Sequence, residues 1–225
     1  MIKLTNRLLA AASLVKGGGI VADIGTDHAY LPIYLIQNGK VDYAIAADIG
    51  KGPLENARKS VEGYCLEDKI SLRLSDGLNS FKDGEVQEIV FAGMGGTLIT
   101  EKLKETEWIK NGKYHFIFQP QSRAEELREY LLTEGFSINK ELAVCEGRRY
   151  YVAFDAVYTG DKKSPTQAEC FLGKLPNTNE AKRHIEHQLH RLEKRYESGV
   201  GGEDERTSLS ETINALKDFT YKKED

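Results

Sequence analysis

Over more than half of the chain, hydrophobic and polar positions alternate in the manner of an α/β protein. Five short apolar runs predict strands at residues 20–24, 43–47, 70–74, 88–92 and 114–118. Between them, apolar residues spaced three and four apart predict helices at residues 30–38, 53–62, 97–104 and 123–134. This order of elements predicts a mostly parallel sheet with helices on both faces.

The two flanks of this region predict further elements. Residues 5–15 have helical periodicity, with Thr5 or Asn6 as the expected N-terminal cap. Between residues 136 and 157, two apolar runs flank Glu146-Gly147-Arg148, and no room is left for a helix. This pattern predicts a strand hairpin, which brings the expected sheet to seven strands.

A polar segment at residues 159–165 precedes a C-terminal part with a different periodicity. The apolar positions of this part, spaced three or four apart, are Ile185, Leu189, Leu192 and Tyr196, followed by Leu209, Ile213 and Leu216. With a glycine-rich turn at residues 198–202 between them, the two runs predict an antiparallel helical hairpin with coiled-coil-like packing. We therefore expect one domain over residues 1–160 and a helical hairpin over residues 161–225.

Composition narrows the class of protein only slightly. The net charge of −4 over 225 residues gives no global sign of nucleic-acid binding, so any such surface has to be local. The three cysteines form no CxxC pair, and no His/Cys cluster has metal-ligand spacing, so we expect reduced thiols and no metal. The N-terminal apolar pieces are too short for a signal peptide or membrane span, and a cytoplasmic protein is expected.

Acidic residues at or near the ends of the first three predicted strands point to a nucleoside ligand. Asp23 precedes Gly25 in a tight strand-to-helix turn, Asp48 follows the second strand, and Asp76-Gly77 follows the third. Asp48 is suited to accept hydrogen bonds from ribose hydroxyls, and Asp76 from an adenine amino group. The turn lacks the three glycines of a GxGxxG motif, which disfavours a dinucleotide. The alternative is that these acids only cap turns or helices.

Three strings carry a resemblance to a known family. Residues 25–32 (GTDHAYLP), 92–96 (AGMGG) and 119–121 (QPQ), together with an N-terminal helix containing Arg7, resemble the bacterial tRNA (adenine-22-N1)-methyltransferases. The resemblance implies a Rossmann-like class I methyltransferase fold, S-adenosylmethionine as cofactor and transfer of its methyl group to N1 of adenine 22 in tRNA. The cofactor-binding residues that it implies are Arg7, Asp23, Gly25, Asp27, Asp48, Ile49, Asp76, Gly77, Ala92, Gly93 and Met94.

Methyl transfer from a sulfonium needs orientation more than acid–base catalysis, and the target base has to leave its stack. Methylation at N1 places positive charge on the adenine ring, which a nearby carboxylate stabilises. Asp27 is the first candidate for this role, and His28 and Tyr30 are candidates for hydrogen bonding to the base or stacking on it. The alternatives are that Asp27 caps the following helix or binds only cofactor, and that His28 and Tyr30 are structural.

A local basic surface is predicted on the helix near residues 180–197. The side chains of Arg183, His187, His190 and Lys194, here called the basic stripe, fall within about 60° on a helical wheel, opposite the apolar positions. Arg148 and Arg149 add positive charge at the strand hairpin. These six residues are the expected tRNA contacts. The alternative is an ordinary solvated helix face.

Two other functions remain open from the residues alone. One is a methyltransferase of the same fold that acts on a small molecule or a protein. The other is a non-catalytic cofactor-binding module whose helical hairpin docks a protein. For the tRNA enzyme we expect a monomer with no obligate protein partner and no membrane association.

Overall fold

A computed structural model describes residues 1–199 and 202–221. Its strands are β1 (Ile20–Ile24), β2 (Tyr43–Asp48), β3 (Ile70–Leu74), β4 (Glu88–Ala92), β5 (His115–Gln119), β6 (Phe136–Glu146) and β7 (Arg149–Tyr158). Its helices are α1 (Asn6–Leu14), α2 (Tyr30–Gln37), α3 (Lys51–Gly63), α4 (Gly96–Lys104), α5 (Ala124–Thr133), α6 (Gln167–Leu172), α7 (Asn179–Glu197) and α8 (Glu203–Tyr221), with a 3₁₀ turn at Glu107–Ile109. The predicted strands, hairpin and helices therefore form, with shifts of a few residues at their ends.

The seven strands make one sheet in the order β3-β2-β1-β4-β5-β7-β6. Neighbouring strands from β3 to β5 pair in parallel, whereas β7 is antiparallel to both β5 and β6. The chain order reverses between β1 and β4, and ligands of such sheets bind at this point, beyond the carboxyl ends of the strands. The expectation of a mostly parallel, seven-stranded, Rossmann-like sheet is confirmed.

Each face of the sheet is covered by helices. One apolar core joins α1, α2 and α3 to one face through residues such as Ala11, Ile33 and Val61. The other joins α4 and α5 to the opposite face through residues such as Ile99 and Leu127. The central strands are buried on both sides, which explains their near-continuous apolar runs.

The C-terminal helices belong to the second of these cores. Ile185, Leu189 and Leu192 of α7 and Ile213 of α8 are buried in the same apolar cluster as the sheet residue Phe154. Helices α7 and α8 pack together as the predicted hairpin, and α7 also contacts β6 and β7. Within the predicted glycine-rich turn, residues 200–201 lie outside the described residues.

Helix α6 is absent from the sequence prediction, although its start carries a clear signal. Thr166 and Glu169 form a reciprocal capping box at its N-terminus. The six-residue helix is too short to show periodicity, and it packs between α5 and α8. Its carbonyls at Cys170 and Phe171 accept hydrogen bonds from Arg128 of α5, a fully buried guanidinium that is also paired with Glu141 at 2.8 Å.

A second buried charged group lies at the amino ends of the parallel strands, opposite the expected ligand edge. The two ring nitrogens of His115 lie 2.7 Å from Glu88 and 2.9 Å from Asp155. Burial opposes ionisation of both carboxyls, but hydrogen bonds from His115 and from backbone amides outweigh it and lower the pKa of each. This network ties β4, β5 and β7 together.

Within the described residues, the helices are all too short or too polar to cross a membrane.

Candidate active site

A cavity of about 390 Å³ lies at the carboxyl ends of β1 and β4, where the chain order reverses. Its lining consists of Thr5, Arg7, Leu8, Asp23, Gly25, Thr26, Asp27, His28, Tyr30, Leu31, Ala92, Gly93 and Gln121. Eight of the predicted site residues are therefore brought together: Arg7, Asp23, Gly25, Asp27, His28, Tyr30, Ala92 and Gly93. The volume is within the range of small-molecule sites, about 300–1,000 Å³.

Glycines let the backbone itself form the cavity wall. Gly25 follows β1 with φ of +82°, and a Cβ there would lie 2.7 Å from Met94 Sδ. Gly93 follows β4 with φ of +91°, and a Cβ there would lie 3.2 Å from Arg7 Nη1. Both positions favour glycine because of this left-handed backbone and because a Cβ would crowd Met94 or Arg7.

Acidic side chains make this edge of the sheet electronegative. Asp23 lies inside β1 rather than at its end, because it pairs with both Ala46 and Val90, and its side chain is buried. Burial raises the pKa of Asp23 to about 6; a hydrogen bond with Thr26 opposes this, and the nearby Asp48 adds to it. Burial also raises the pKa of Asp48. The hydrogen bond from the Gly50 amide lowers this pKa in part, and the negative charge of Asp27 raises it further. A bound cation would relieve this crowding.

The remaining predicted cofactor residues do not line the cavity. Asp76 is ion-paired with Lys102 at 2.8 Å, and the Lys102 side chain covers Gly77. Ile49 is largely exposed after β2, and Met94 is half-buried behind Gly25. Asp48 and Asp76 nevertheless share one edge, because Ser75 donates to the Asp48 carbonyl at 2.9 Å. Their assignment to the cofactor stays a prediction.

Arg7 reaches the cavity from α1. Its Nη1 donates to Oε1 of Gln119 at 3.1 Å, and Gln119 is completely buried at the end of β5. Its Nε lies 3.5 Å from the Glu146 carboxylate. The arginine is thus a fixed cation on the wall of an otherwise acidic cavity.

Asp27, His28 and Tyr30 form one exposed group at the mouth of the cavity. The rings of His28 and Tyr30 stack, with centroids 4.9 Å apart and planes 15° apart. The Asp27 carboxylate lies 3.3 Å from His28 Nε2 and accepts a hydrogen bond from Asn56 at 3.3 Å. Ala29, between the two stacked residues, adopts φ of +54°, which turns the chain into α2. An aromatic face and a carboxylate are therefore both presented to solvent beside the cavity.

The predicted tRNA-contact residues lie on one exposed surface. Arg148 and Arg149 are at the turn between β6 and β7, and the basic stripe is on the exposed face of α7. Arg183 of the stripe contacts the Tyr150 hydroxyl at 3.4 Å, so helix and hairpin adjoin. Tyr196, predicted to be in the apolar row, is instead 37% exposed and packs under the Arg206 guanidinium, because it is the last apolar position before α7 ends.

A larger cavity, of about 550 Å³, lies between α5 and the C-terminal helices. It contains Arg123, Arg191 and Arg195, but each is paired with a glutamate: Glu126, Glu125 and Glu205 respectively. Of these two cavities, the smaller one is the candidate active site, because it lies at the strand ends and contains the buried acid Asp23. Among the described residues, no cluster of His, Cys, Asp and Glu could hold a metal ion.

Several lining residues escaped the sequence prediction. Thr26 and Leu31 fall inside the quoted strings without an assigned role, and Thr5 and Leu8 enter because α1 folds over the strand ends. Gln121 reaches the cavity because its amide donates to the Met94 carbonyl at 2.8 Å, which joins the loops after β4 and β5. Their places in the cavity wall follow from the fold and not from local sequence.

A methyltransferase-domain family model matches residues 4–154, which contain every residue lining the cavity. The tRNA (adenine(22)-N(1))-methyltransferase of Bacillus subtilis is 39% identical over 166 residues, covering 71% of this chain and 70% of that protein. Helices α7 and α8 lie outside the family-model match.

Solved structures are similar over nearly the whole chain. The crystal structure of the B. subtilis m1A22 tRNA methyltransferase matches with a TM-score of 0.84 and 31% identity, covering 98% of this chain and 100% of that one. The structure of M. capricolum TrmK in complex with S-adenosylhomocysteine matches with a TM-score of 0.79 and 27% identity, covering 96% of this chain and 97% of that one. The similarity therefore includes the C-terminal helices.

Proposed function

Since the chain belongs to the bacterial tRNA (adenine-22-N1)-methyltransferase family, we propose that it transfers the methyl group of S-adenosylmethionine to N1 of adenine 22 in tRNA. The proposal rests on one observation above all, which is that Asp23 and the stacked rings of His28 and Tyr30 line the same cavity. A buried acid suits the cationic cofactor, and an exposed aromatic face beside it suits a flipped base.

The residues present fit S-adenosylmethionine. Gly25 and Gly93 line the cavity without a side chain, which allows a ligand to lie against the backbone there. Asp23, buried and short of positive partners, is suited to the ammonium group, and Arg7 to the carboxylate. Asp48 and Ile49, and Asp76 with Gly77, would hold the ribose and adenine. When bound, the cofactor supplies an activated methyl group on a sulfonium.

The chain's own residues then have to bind and orient the adenine. His28 and Tyr30 provide a stacking surface, which compensates for the stacking that the base loses on leaving the RNA helix. Asp27, beside that surface, stabilises the positive charge that N1 methylation creates on the ring. No proton has to be removed from N1, so orientation supplies most of the rate enhancement.

The tRNA is proposed to lie across Arg148, Arg149 and the basic stripe of α7. Side chains of these residues are exposed, and the Arg183–Tyr150 contact places the basic stripe beside the strand hairpin. Because the protein carries a net charge of −4, binding depends on this local surface and weakens steeply with salt. We propose that the protein acts as a monomer in the cytoplasm.

The deciding experiment is transfer of labelled methyl from S-adenosylmethionine to unmodified tRNA transcripts with adenine or guanine at position 22. We expect label only in the adenine transcript, with nucleoside analysis showing 1-methyladenosine. Asp27→Asn should lower kcat by at least tenfold with little change in cofactor affinity, while Asp68→Asn, a change at an exposed position after α3, serves as the matched control. Equal labelling of both transcripts, or none with cofactor bound, would contradict the proposal.

A further inference from the structure

Helix α1 receives its N-terminal cap from a residue 139 positions away. Thr5 occupies the capping position, but its side chain makes no capping hydrogen bond and the first turn carries no acidic residue. Instead, the Glu146 carboxylate at the end of β6 accepts a hydrogen bond from the Arg7 backbone N–H at 3.1 Å. The Asn6 side chain donates to the neighbouring Cys145 carbonyl at 2.9 Å. The carboxylate satisfies a free helix amide and interacts favourably with the helix dipole.

The same carboxylate also holds the Arg7 side chain. Glu146 Oε1 lies 3.5 Å from Arg7 Nε, while Arg7 Nη1 donates to the buried Gln119 at 3.1 Å. The two ionic side chains are 22% and 31% exposed, so solvent only partly screens their contact. Two guanidinium nitrogens are therefore fixed, with Nη1 close to the backbone of Gly93 in the cavity wall.

From this juxtaposition we propose that Glu146 is a positioning residue for cofactor binding. By capping α1 and anchoring Arg7, it holds the guanidinium where the amino-acid carboxylate of S-adenosylmethionine binds. An unrestrained arginine loses rotamer entropy when it binds a ligand, and an arginine that is already fixed loses less. The inference rests on the proposed function, because it requires S-adenosylmethionine or its product as the ligand.

The test compares two ligands that differ at the carboxylate. S-adenosylhomocysteine carries the amino-acid end, whereas 5′-methylthioadenosine keeps the adenosine and sulfur but lacks it. Glu146→Ala should weaken S-adenosylhomocysteine about fivefold, the equivalent of losing a helix cap worth about 1 kcal/mol, and leave 5′-methylthioadenosine unchanged. Isothermal titration calorimetry of the full-length protein measures both dissociation constants.

Two conservative variants separate positioning from general loss of structure. Glu146→Gln keeps one oxygen that can accept from the Arg7 amide but turns an NH₂ donor toward the guanidinium, so it should retain the helix cap and still weaken S-adenosylhomocysteine selectively. Glu146→Asp keeps the charge but shortens the reach, and should show the same selective loss for S-adenosylhomocysteine. Glu101→Ala, which removes an exposed carboxylate on α4, is the matched control, and thermal denaturation verifies the fold of each variant.

The coupling of the two side chains provides an independent measure. Arg7→Lys removes the anchored guanidinium and should weaken S-adenosylhomocysteine on its own. If Glu146 acts through Arg7, adding Glu146→Ala to Arg7→Lys should weaken binding by much less than fivefold. Additive losses, or equal losses for both ligands, would overturn the proposal. A wild-type protein that bound neither ligand would instead overturn the proposed function, and with it this inference.

Discussion

Replacing Asp23 by Asn is expected to stabilise the ligand-free protein while weakening its cofactor binding. The Asp23 carboxyl is 5% exposed, and burial is the main cause that raises its pKa to about 6 from an ordinary 3.8. This pKa shift means that ionisation of Asp23 lowers the free energy of unfolding by about 3 kcal/mol, as an upper limit. Asparagine has the same shape and keeps an oxygen that can accept the Thr26 hydrogen bond, but it carries no charge.

The sign of the effect follows from the raised pKa. A carboxyl whose pKa is higher in the folded than in the unfolded state lowers the free energy of unfolding as pH rises from about 4 to above 6. The advantage of Asp23→Asn should therefore be near zero at pH 4 and largest above pH 7. At about 2–4 °C per kcal/mol for a chain of this size, the limit is a rise of roughly 6–12 °C in Tm.

The assay is chemical and thermal denaturation of wild type and Asp23→Asn between pH 4 and 8, without ligand. Taking the difference between the two proteins cancels the contributions of other titrating groups. Calorimetry should show weaker S-adenosylmethionine binding to the variant, because the ammonium group loses a charged partner. The interpretation of Asp23 as a destabilising buried carboxylate would be refuted if the free energies of unfolding of the two proteins differed by the same amount at every pH. It would also be refuted if the variant were less stable at every pH.

Three further predictions concern the frame of the site and the proposed RNA-binding surface. His115→Ala leaves Glu88 and Asp155 buried without their shared partner, so denaturant titration at pH 7 should show a free energy of unfolding lower by about 3–5 kcal/mol. Because both carboxyls have lowered pKa values, the stability that they contribute in the wild type should be lost as pH falls below 4. Gly96→Ala places a Cβ 2.2 Å from the Arg123 carbonyl oxygen, which should lower the free energy of unfolding by about 1–3 kcal/mol in the same assay. Gly63→Ala should cause no such loss, because no atom lies within 4 Å of a Cβ at that position. The double change Arg148→Ala and Arg149→Ala should weaken tRNA binding and lower the salt slope by about 1 per lost phosphate contact, with unchanged cofactor affinity; an unchanged slope would exclude this surface.

The fold was predictable because its signals are local. Strand runs such as Ile20–Ile24 are apolar apart from Asp23, since parallel strands are buried on both faces, and the turn at Gly25 is visible as an interruption of the run. Six of the eight predicted cavity residues lie in the strings at residues 25–32 and 92–96, Asp23 lies two residues before the turn at Gly25, and Arg7 lies in the N-terminal helix that shares the family resemblance. For these positions, short segments of sequence carry most of the information.

The missed features depend on contacts between distant segments. Nothing near Thr5 or Arg7 indicates that Glu146 caps their helix, and nothing near Gln119 indicates that it fixes an arginine. The position of Asp23 inside β1 depends on pairing with two neighbouring strands. Helix α6 has only six residues, which is less than two turns, so periodicity could not identify it.

The Arg128–Glu141 pair has a consequence for how this protein can be altered by recombination. Arg128 lies in α5 and Glu141 lies in β6. The carbonyls that complete the hydrogen bonds of the guanidinium belong to α6, which follows the polar linker at residues 159–165. A chimaera joined at the linker would place foreign backbone against a buried charge, and a truncation there would leave two of its donors without partners. The sheet domain and the C-terminal helices are therefore not interchangeable modules, because an exchange of one requires a matching change in the other.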